Sequence, residues 1–271
     1  MNTMVSHPHS TTHLLASVRS KLESEAYGQQ TIKAYLGQLN VFFRHIHPRE
    51  PYAVTTDDIL QYLNHQVASD LSRSTVDQAV NALNFFCKSA LGRPLDLSGF
   101  QRPRKVKAAQ VVLTLDEVKR IAISTENPKH RLMIELSYTG GLRVSEVVHV
   151  RVKHLDLAKL KLFVPDQDGE DEGRTTIFSG SLKDALARQI GNKKPEDYLF
   201  PSERGGPLTT RAVAKFFKAA LAASGVSKPA TPHSLRHSFA EFMLKNGNRP
   251  QVVQNLMGLG RTVKGRALDE D

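Results

Sequence analysis

Apolar residues recur at three- and four-residue spacing along residues 12–92, and this periodicity stops over residues 91–111. The spacing places apolar side chains on one face of an α-helix, where a neighbouring helix can bury them. Four stretches show the pattern between residues suited to helix capping, and their apolar members begin at Leu14, Ile32, Ile59 and Val76. Residues 12–92 are therefore predicted to form a small four-helix bundle.

Composition restricts the class of protein. The chain has 271 residues, of which 40% are hydrophobic and 24% are charged, as is typical of a globular protein. No apolar run approaches the roughly 18 residues that a membrane span needs, and the polar first residues contain no signal-peptide core. Cys87 is the single cysteine, which excludes an internal disulfide. We expect a cytoplasmic protein without membrane contact that is stabilised by its apolar core.

A basic, irregular segment follows the predicted bundle. The net charge of the chain is +10, and both halves carry more Lys and Arg than Asp and Glu. Prolines and glycine interrupt residues 93–111, and the cations of this stretch are Arg93, Arg102, Arg104, Lys105 and Lys107. Such a density of cations favours contact with phosphate groups, the alternative being an ordinary solvated loop. We predict an interdomain linker here.

The remainder of the chain, residues 112–271, combines helices with two strands. Thr114 and Glu117 have capping-box spacing and predict the start of a helix. The segments KLKLFV and RTTIF alternate apolar and polar residues, which predicts an antiparallel strand pair around an acidic turn over residues 166–174. Helices are predicted to resume at 181–190, 209–223, 232–246 and 250–257.

Two arginine segments in this half could carry chemistry. In TGGLRVSE, the glycine pair is predicted to place Arg143 in the first turn of a helix, with Glu146 on the same face to orient the guanidinium. In HSLRHSFA, His233 and Arg236 lie three residues apart and present a proton donor and a bidentate phosphate clamp. Together the segments predict a site for a negatively charged phosphorus centre. Each segment alone also fits a surface arginine or a capped helix start.

In this order and at this separation, the two segments resemble the arginine motifs of the tyrosine recombinase family, which includes phage integrases and Xer-type recombinases. The stretch NGNRPQVVQNLMG is similar to the next helix of that family. The resemblance covers about residues 12–258. It implies a mainly α protein in which an N-terminal four-helix, SAM-like core-binding domain at 12–92 is joined by the linker at 93–111 to a mixed α+β catalytic domain at 112–271 with a small antiparallel sheet.

The resemblance also implies function. Members of the family cleave and rejoin DNA strands during site-specific recombination or integration, without a metal or cofactor, and assemble as tetramers on double-stranded DNA. The implied catalytic residues are Arg143, His233 and Arg236, which match those that hold the scissile phosphate. Glu146 matches a supporting acid, and His237 is expected to pack or hydrogen-bond behind the site. The linker cations expected to contact DNA are Arg102, Arg104, Lys105 and Lys107.

The sequence departs from the family pattern at three places. No lysine occurs between Lys161 and Lys183, where the family has a hairpin lysine; Arg174 is the candidate replacement, but arginine is a poor proton donor. Leu259 stands where the family has a histidine, and no tyrosine follows Tyr198. No nucleophile is therefore predicted, and we expect a protein that binds DNA and positions a phosphate but is defective in cleavage.

Two other hypotheses stay open. One is a non-catalytic DNA-binding module that competes at recombination sites. The other is a nuclease or topoisomerase-like variant that uses Ser179 or Thr262 as its nucleophile. The stretch after Gly258 no longer resembles the family, from which we expect a truncated or frameshifted C-terminus and a chain that is monomeric off DNA.

Overall fold

The structure, a computed structural model, describes residues 11–104, 110–166 and 169–259. The chain divides into two units, one reaching to Ala108 and one starting at Ala109. Within the described ranges, no helix is both long enough and apolar enough to cross a membrane.

The first unit is a bundle of four helices, as predicted. They are α1 (Thr11–Ser24), α2 (Gln29–Ile46), α3 (Thr56–Ala68) and α4 (Arg73–Ala90). The hydroxyl of Thr55 caps α3 by accepting a hydrogen bond from the Asp58 backbone, and Ser72 caps α4 in the same way. Such caps satisfy backbone N–H groups that have no partner inside the helix.

Aromatic rings from three helices fill the core of this bundle. Phe42 of α2 lies 5.0 Å from the ring of Tyr62 on α3, and Phe43 lies 5.2 Å from the ring of Phe86 on α4, both edge to face. Phe42 and Phe86 are fully buried. Rings in this arrangement stabilise a core beyond the apolar area that they bury.

We predict that Phe42→Ala lowers the free energy of unfolding of the first unit by about 3–5 kcal/mol, because it leaves a cavity among packed rings. Val41 is the matched control, since it is adjacent on α2 but 42% exposed. Val41→Ala should change stability by less than about 0.5 kcal/mol. Urea unfolding followed by circular dichroism measures both variants, and equal losses would contradict the packing described here.

The residues after α4 lie on the first unit. Arg93 donates hydrogen bonds to the Val54 carbonyl at 2.7 Å and to the Thr56 hydroxyl at 2.8 Å. The apolar residues that follow pack against the bundle core, namely Leu95, Leu97 and Phe100. The first part of the predicted linker is therefore anchored to the bundle, whereas Lys105 and Lys107 lie outside the described residues.

The second unit combines seven helices with one sheet in its described part. The helices are α5 (Leu115–Ile123), α6 (Pro128–Thr139), α7 (Val144–His149), α8 (Lys183–Ile190), α9 (Thr210–Ala223), α10 (Pro232–Lys245) and α11 (Pro250–Met257). The strands are β1 (Leu155–Asp156), β2 (Lys161–Asp166) and β3 (Gly169–Ile177), ordered β1-β2-β3 and antiparallel. The predicted class, mainly α with a small antiparallel sheet, is confirmed.

The acidic hairpin differs from the prediction. Residues 166–174 were expected to form a turn, but β3 already begins at Gly169. Pro165 pairs with Gly173 while Asp166 pairs with Gly169, so the register shifts there and three strand residues are left over. A β-bulge of this kind adds residues to one strand without ending it, because the extended backbone continues past the irregularity.

Helix α10 organises the end of the second unit that carries the arginine segments. It packs against α6, α9 and α11, and α11 in turn packs against β3. The Ser238 hydroxyl on α10 accepts a hydrogen bond at 2.8 Å from the backbone of Leu113, which precedes α5. These contacts bring the start of α7, the first turns of α10 and the end of α11 to one place.

Candidate functional site

The turn between α6 and α7 positions Arg143. Gly141 has a φ of +60°, and a Cβ atom there would lie 2.4 Å from the Phe239 ring, so only glycine fits. Arg143 follows with extended backbone angles and is the residue just before α7. Arg143 was predicted inside the first helical turn. Because its backbone is extended after the glycine turn, the helix begins one residue later, at Val144.

Glu146 binds Arg143 as the spacing predicted. Its Oε2 accepts a hydrogen bond from the Arg143 backbone N–H at 2.6 Å, and its Oε1 accepts one from Arg143 Nη1 at 2.7 Å. The side chain of Glu146 is 12% exposed, while that of Arg143 is 41% exposed. The carboxylate therefore anchors one side of a guanidinium that remains half open to solvent.

Two further arginines surround the same carboxylate. Arg174 of β3 donates from Nη1 to Oε1 at 2.7 Å and from Nη2 to Oε2 at 2.8 Å, forming a bidentate pair with Glu146. Arg236 of α10 lies 3.6 Å from Glu146 Oε2. Three guanidiniums thus share one carboxylate, and the group of Arg143, Glu146, Arg174 and Arg236 is called the arginine cluster below.

The first turns of α10 contribute three residues. Arg236 is buried and donates to the Gly141 carbonyl at 2.8 Å and to the Met257 carbonyl. His233 is exposed and His237 is half-buried, and their rings meet edge to face with centroids 4.8 Å apart. Arg236 therefore ties α10 both to the glycine turn and to the end of α11.

These side chains line one cavity of about 480 Å³. Its polar end is formed by Arg143, His233, Arg236 and His237. Its apolar lining comes from α10, α11 and the residues after α11, namely Ala240, Leu244, Pro250, Val253, Met257 and Leu259, and Gln110 and Gln254 also line it. The three residues predicted to hold a phosphate are thus brought together, although 90 residues of sequence separate the first two.

The ionisation of the cluster favours anions. Burial raises the pKa of Glu146, but the hydrogen bonds and charge of Arg174 outweigh this effect and hold that pKa below its ordinary value. Burial and the charge of Arg143 lower the pKa of Arg236 to about 10, which still leaves it protonated at neutral pH. Three cations therefore face one anion, and the cluster keeps an excess of positive charge.

His237 carries a different electrostatic signal. Burial, with smaller contributions from the charges of His233 and Arg236, lowers its pKa below the ordinary histidine value. A largely neutral imidazole at neutral pH can donate one hydrogen bond and accept another. His237 thus adds a polar group to the cavity without adding a full charge.

Sequence comparison places the chain in a family. The profile of the phage integrase family matches residues 111–261, and that of the phage integrase N-terminal SAM-like domain matches residues 14–97. The chain belongs to the phage integrase family. The predicted resemblance to integrases and Xer-type tyrosine recombinases is thereby confirmed.

Individual members of the family agree with this assignment. An integrase/recombinase of Escherichia coli is 30% identical over 90% of this chain and 85% of its own. Tyrosine recombinase XerA of Pyrococcus horikoshii is 29% identical over 90% and 84% of the two chains. A solved lambda integrase dimer bound to a COC′ core site shares the fold, with a TM-score of 0.74 at 20% identity over 96% of this chain and 79% of that one.

Two site residues of this integrase-family chain differ in placement from their predicted roles. His237 was expected behind the site but lines the cavity beside His233. Its four-residue spacing from His233 already puts both on one face of α10, and this was the signal available in the sequence. Arg174 was the candidate to face the phosphate, yet its guanidinium binds Glu146 and the Leu256 carbonyl, and it lines a second cavity instead.

The candidate nucleophiles lie away from the cavity or outside the described residues. Tyr138 is 5% exposed and belongs to the core of the second unit. Tyr198 stacks under Arg151, whose guanidinium carbon is 5.2 Å from the ring centre. Ser179 caps a 3₁₀ turn and is hydrogen-bonded to Ser181. Thr262 lies outside the described residues.

The predicted DNA-contacting cations are only partly described. Arg102 forms an ion pair with Asp77 of α4 at 2.9 Å, and Arg104 is exposed. Contact between Arg102 and a phosphate would have to compete with that carboxylate. Among the residues that the structure describes, no group of three or more His, Cys, Asp or Glu side chains is arranged to hold a metal ion.

Proposed function

We propose that this chain binds double-stranded DNA during integration or recombination and holds one backbone phosphate at the polar end of the cavity. The observation that carries the proposal is the convergence of Arg143, His233 and Arg236 on that cavity beside the largely buried carboxylate of Glu146. An integrase/recombinase of Escherichia coli among its relatives, and the lambda integrase bound to a core site, support DNA as the partner.

The polar end of the cavity suits a phosphodiester. Arg143 has a half-exposed guanidinium held on one side by Glu146, so its remaining donors are available to an anion. Planar guanidiniums match phosphate oxygens in geometry, and such charge-assisted hydrogen bonds are stronger than neutral ones. Exposed His233 adds an N–H donor. These groups stabilise charge on phosphate oxygens. Arg143, His233 and Arg236 are therefore proposed to hold the phosphate in the positions of the family's catalytic residues.

We further propose that these 271 residues hold the phosphate without cleaving the strand. No tyrosine lines the cavity among the described residues, and Leu259 occupies its wall where a hydrogen-bonding residue is expected from the family. A protein of this kind would occupy recombination sites as a DNA-binding module. The proposal includes the domain limits 12–92, 93–111 and 112–271. It also includes a monomeric state off DNA, and analytical ultracentrifugation checks this oligomeric state.

The test is the salt dependence of binding to a random-sequence DNA duplex, measured by fluorescence anisotropy. Each phosphate contact contributes a slope of about −0.9 to log K against log salt, because neutralising a phosphate releases a counterion. For the unaltered chain we expect a slope that corresponds to several phosphate contacts. In Arg143→Ala the slope should correspond to about one phosphate contact fewer. Affinity that does not change between low and physiological salt would refute DNA binding.

The linker cations supply the second arm of the same measurement. The change of Arg102, Arg104, Lys105 and Lys107 together to alanine should flatten the slope by two to three contacts rather than four, because Arg102 is already paired with Asp77. Arg211→Ala is the matched control, since it removes an exposed cation that is not part of the site. A quadruple variant with the wild-type slope would show that the linker does not contact DNA.

A further inference from the structure

Arg174 links parts of the second unit that are distant in sequence. Its Nη1 and Nη2 bind Glu146, 28 residues before it, and its Nε donates at 2.8 Å to the Leu256 carbonyl, 82 residues after it. The side chain is 9% exposed. Every nitrogen of this guanidinium is thus engaged inside the protein.

The end of α11 rests on two members of the arginine cluster. The Leu256 carbonyl accepts a hydrogen bond from Arg174, and the Met257 carbonyl accepts one from Arg236. Gly258 follows with a φ of +64°, and a Cβ atom there would lie 2.9 Å from Arg174 Cδ. The last carbonyls of a helix have no partner within it, and here buried guanidiniums satisfy two of them.

We infer that Arg174 is a positioning residue for the phosphate site, an inference that rests on the proposed function. Through Glu146 it fixes the guanidinium of Arg143, and through Leu256 it fixes the end of α11, whose Met257 and Leu259 form part of the cavity wall. It acts through these residues and does not itself line the cavity that holds His233.

The physical reason lies in the freedom of Arg143. Its side chain is 41% exposed, and its guanidinium is held through Nη1 by Glu146. Arg174 makes the bidentate contact that fixes both oxygens of that carboxylate. Without Arg174, Glu146 and therefore Arg143 would sample several rotamers, and binding a phosphate would require ordering them.

A double-mutant cycle on affinity for the same DNA duplex tests the inference. Arg143→Ala is expected to lower affinity about tenfold or more and the salt slope by about one contact. Arg174→Ala should give a similar loss although it touches no phosphate, and the double variant should be no weaker than Arg143→Ala alone. A purely structural role of Arg174 would lower the melting temperature without changing the number of phosphate contacts.

A pair of glycines provides a test that leaves every charge in place. Gly258→Ala pushes a methyl group against Arg174, whereas Gly247→Ala has the same kind of backbone strain, at a φ of +81°, with nothing within 4 Å of the added atom. We expect the salt slope of DNA binding to be smaller by about one contact in Gly258→Ala, as in Arg174→Ala. Gly247→Ala should keep the wild-type salt slope. This pair decides the matter even where Arg174→Ala does not fold.

The outcomes separate the two proposals. If Arg143→Ala keeps the wild-type slope, the proposed phosphate site is wrong. Two results would contradict only the positioning role of Arg174, provided that Arg143→Ala lowers the salt slope. One is that the double variant loses DNA affinity by the product of the two single losses, and the other is that Gly258→Ala and Gly247→Ala have the same salt slope. In either case the phosphate site stands.

Discussion

Arg236→Ala is expected to lower the free energy of unfolding of the second unit by about 3–5 kcal/mol. The side chain is 3% exposed and bonds to the Gly141 and Met257 carbonyls. Its loss leaves two buried acceptors unpaired and removes one of the cations around Glu146. Thermal and urea unfolding measure the change in stability, and DNA affinity should fall as well because the glycine turn that positions Arg143 loses its tie to α10.

Two variants serve as controls for this result. Arg236→Lys keeps the positive charge but cannot reach two carbonyls on different elements, so we expect an intermediate loss of stability. Arg211→Ala removes an exposed arginine of the same unit and should change stability by less than about 0.5 kcal/mol. If Arg236→Ala were as stable as Arg211→Ala, the hydrogen bonds assigned to Arg236 would not hold the fold.

Local patterns in the sequence were sufficient to predict most of the secondary structure. The helices were indicated by three- and four-residue spacing, and the cap at Thr114 has the predicted capping-box geometry with Glu117. The strand β1 was missed because its two residues are too few to show an alternation. Residues 93–104 gave no sign of packing, since Leu95, Leu97 and Phe100 lie in an irregular segment that follows no helical or strand period.

Local spacing alone predicted the site only where its members are close in sequence, and the family resemblance supplied the grouping of Arg143 with His233 and Arg236. Three-residue spacing placed Glu146 beside Arg143 and paired His233 with Arg236 on one helix. The contact of Arg174 with Glu146 depends on how β3 packs beside α7, and no local spacing encodes it. The sequence does not distinguish an arginine that is free to bind a ligand from one that is already paired with a carboxylate. Only the tertiary structure shows that Arg174 is paired with Glu146.

The second large effect expected is the absence of a covalent DNA adduct. A strand-cleaving nucleophile must lie in line with the phosphorus, and among the described residues neither Tyr138 nor Tyr198 lines the cavity. Ser179 is hydrogen-bonded to Ser181, with no histidine bonded to it as a base. The missing hairpin lysine should slow any residual reaction by a further factor of about 10²–10⁴. Incubation with a nicked, labelled recombination site should give no complex that resists denaturation.

The matched experiment restores the two groups that the family pattern has and this sequence lacks. Leu259→His is made alone and together with Leu268→Tyr, which introduces a tyrosine about nine residues later, at the expected place. An adduct with the unaltered chain would show that a different residue attacks the phosphorus. An adduct only with the double variant would assign the defect to the stretch after Gly258. If the double variant also forms none, the defect extends to the hairpin, because Arg174 is committed to Glu146 and, as an arginine, releases its proton too reluctantly to replace a lysine acid.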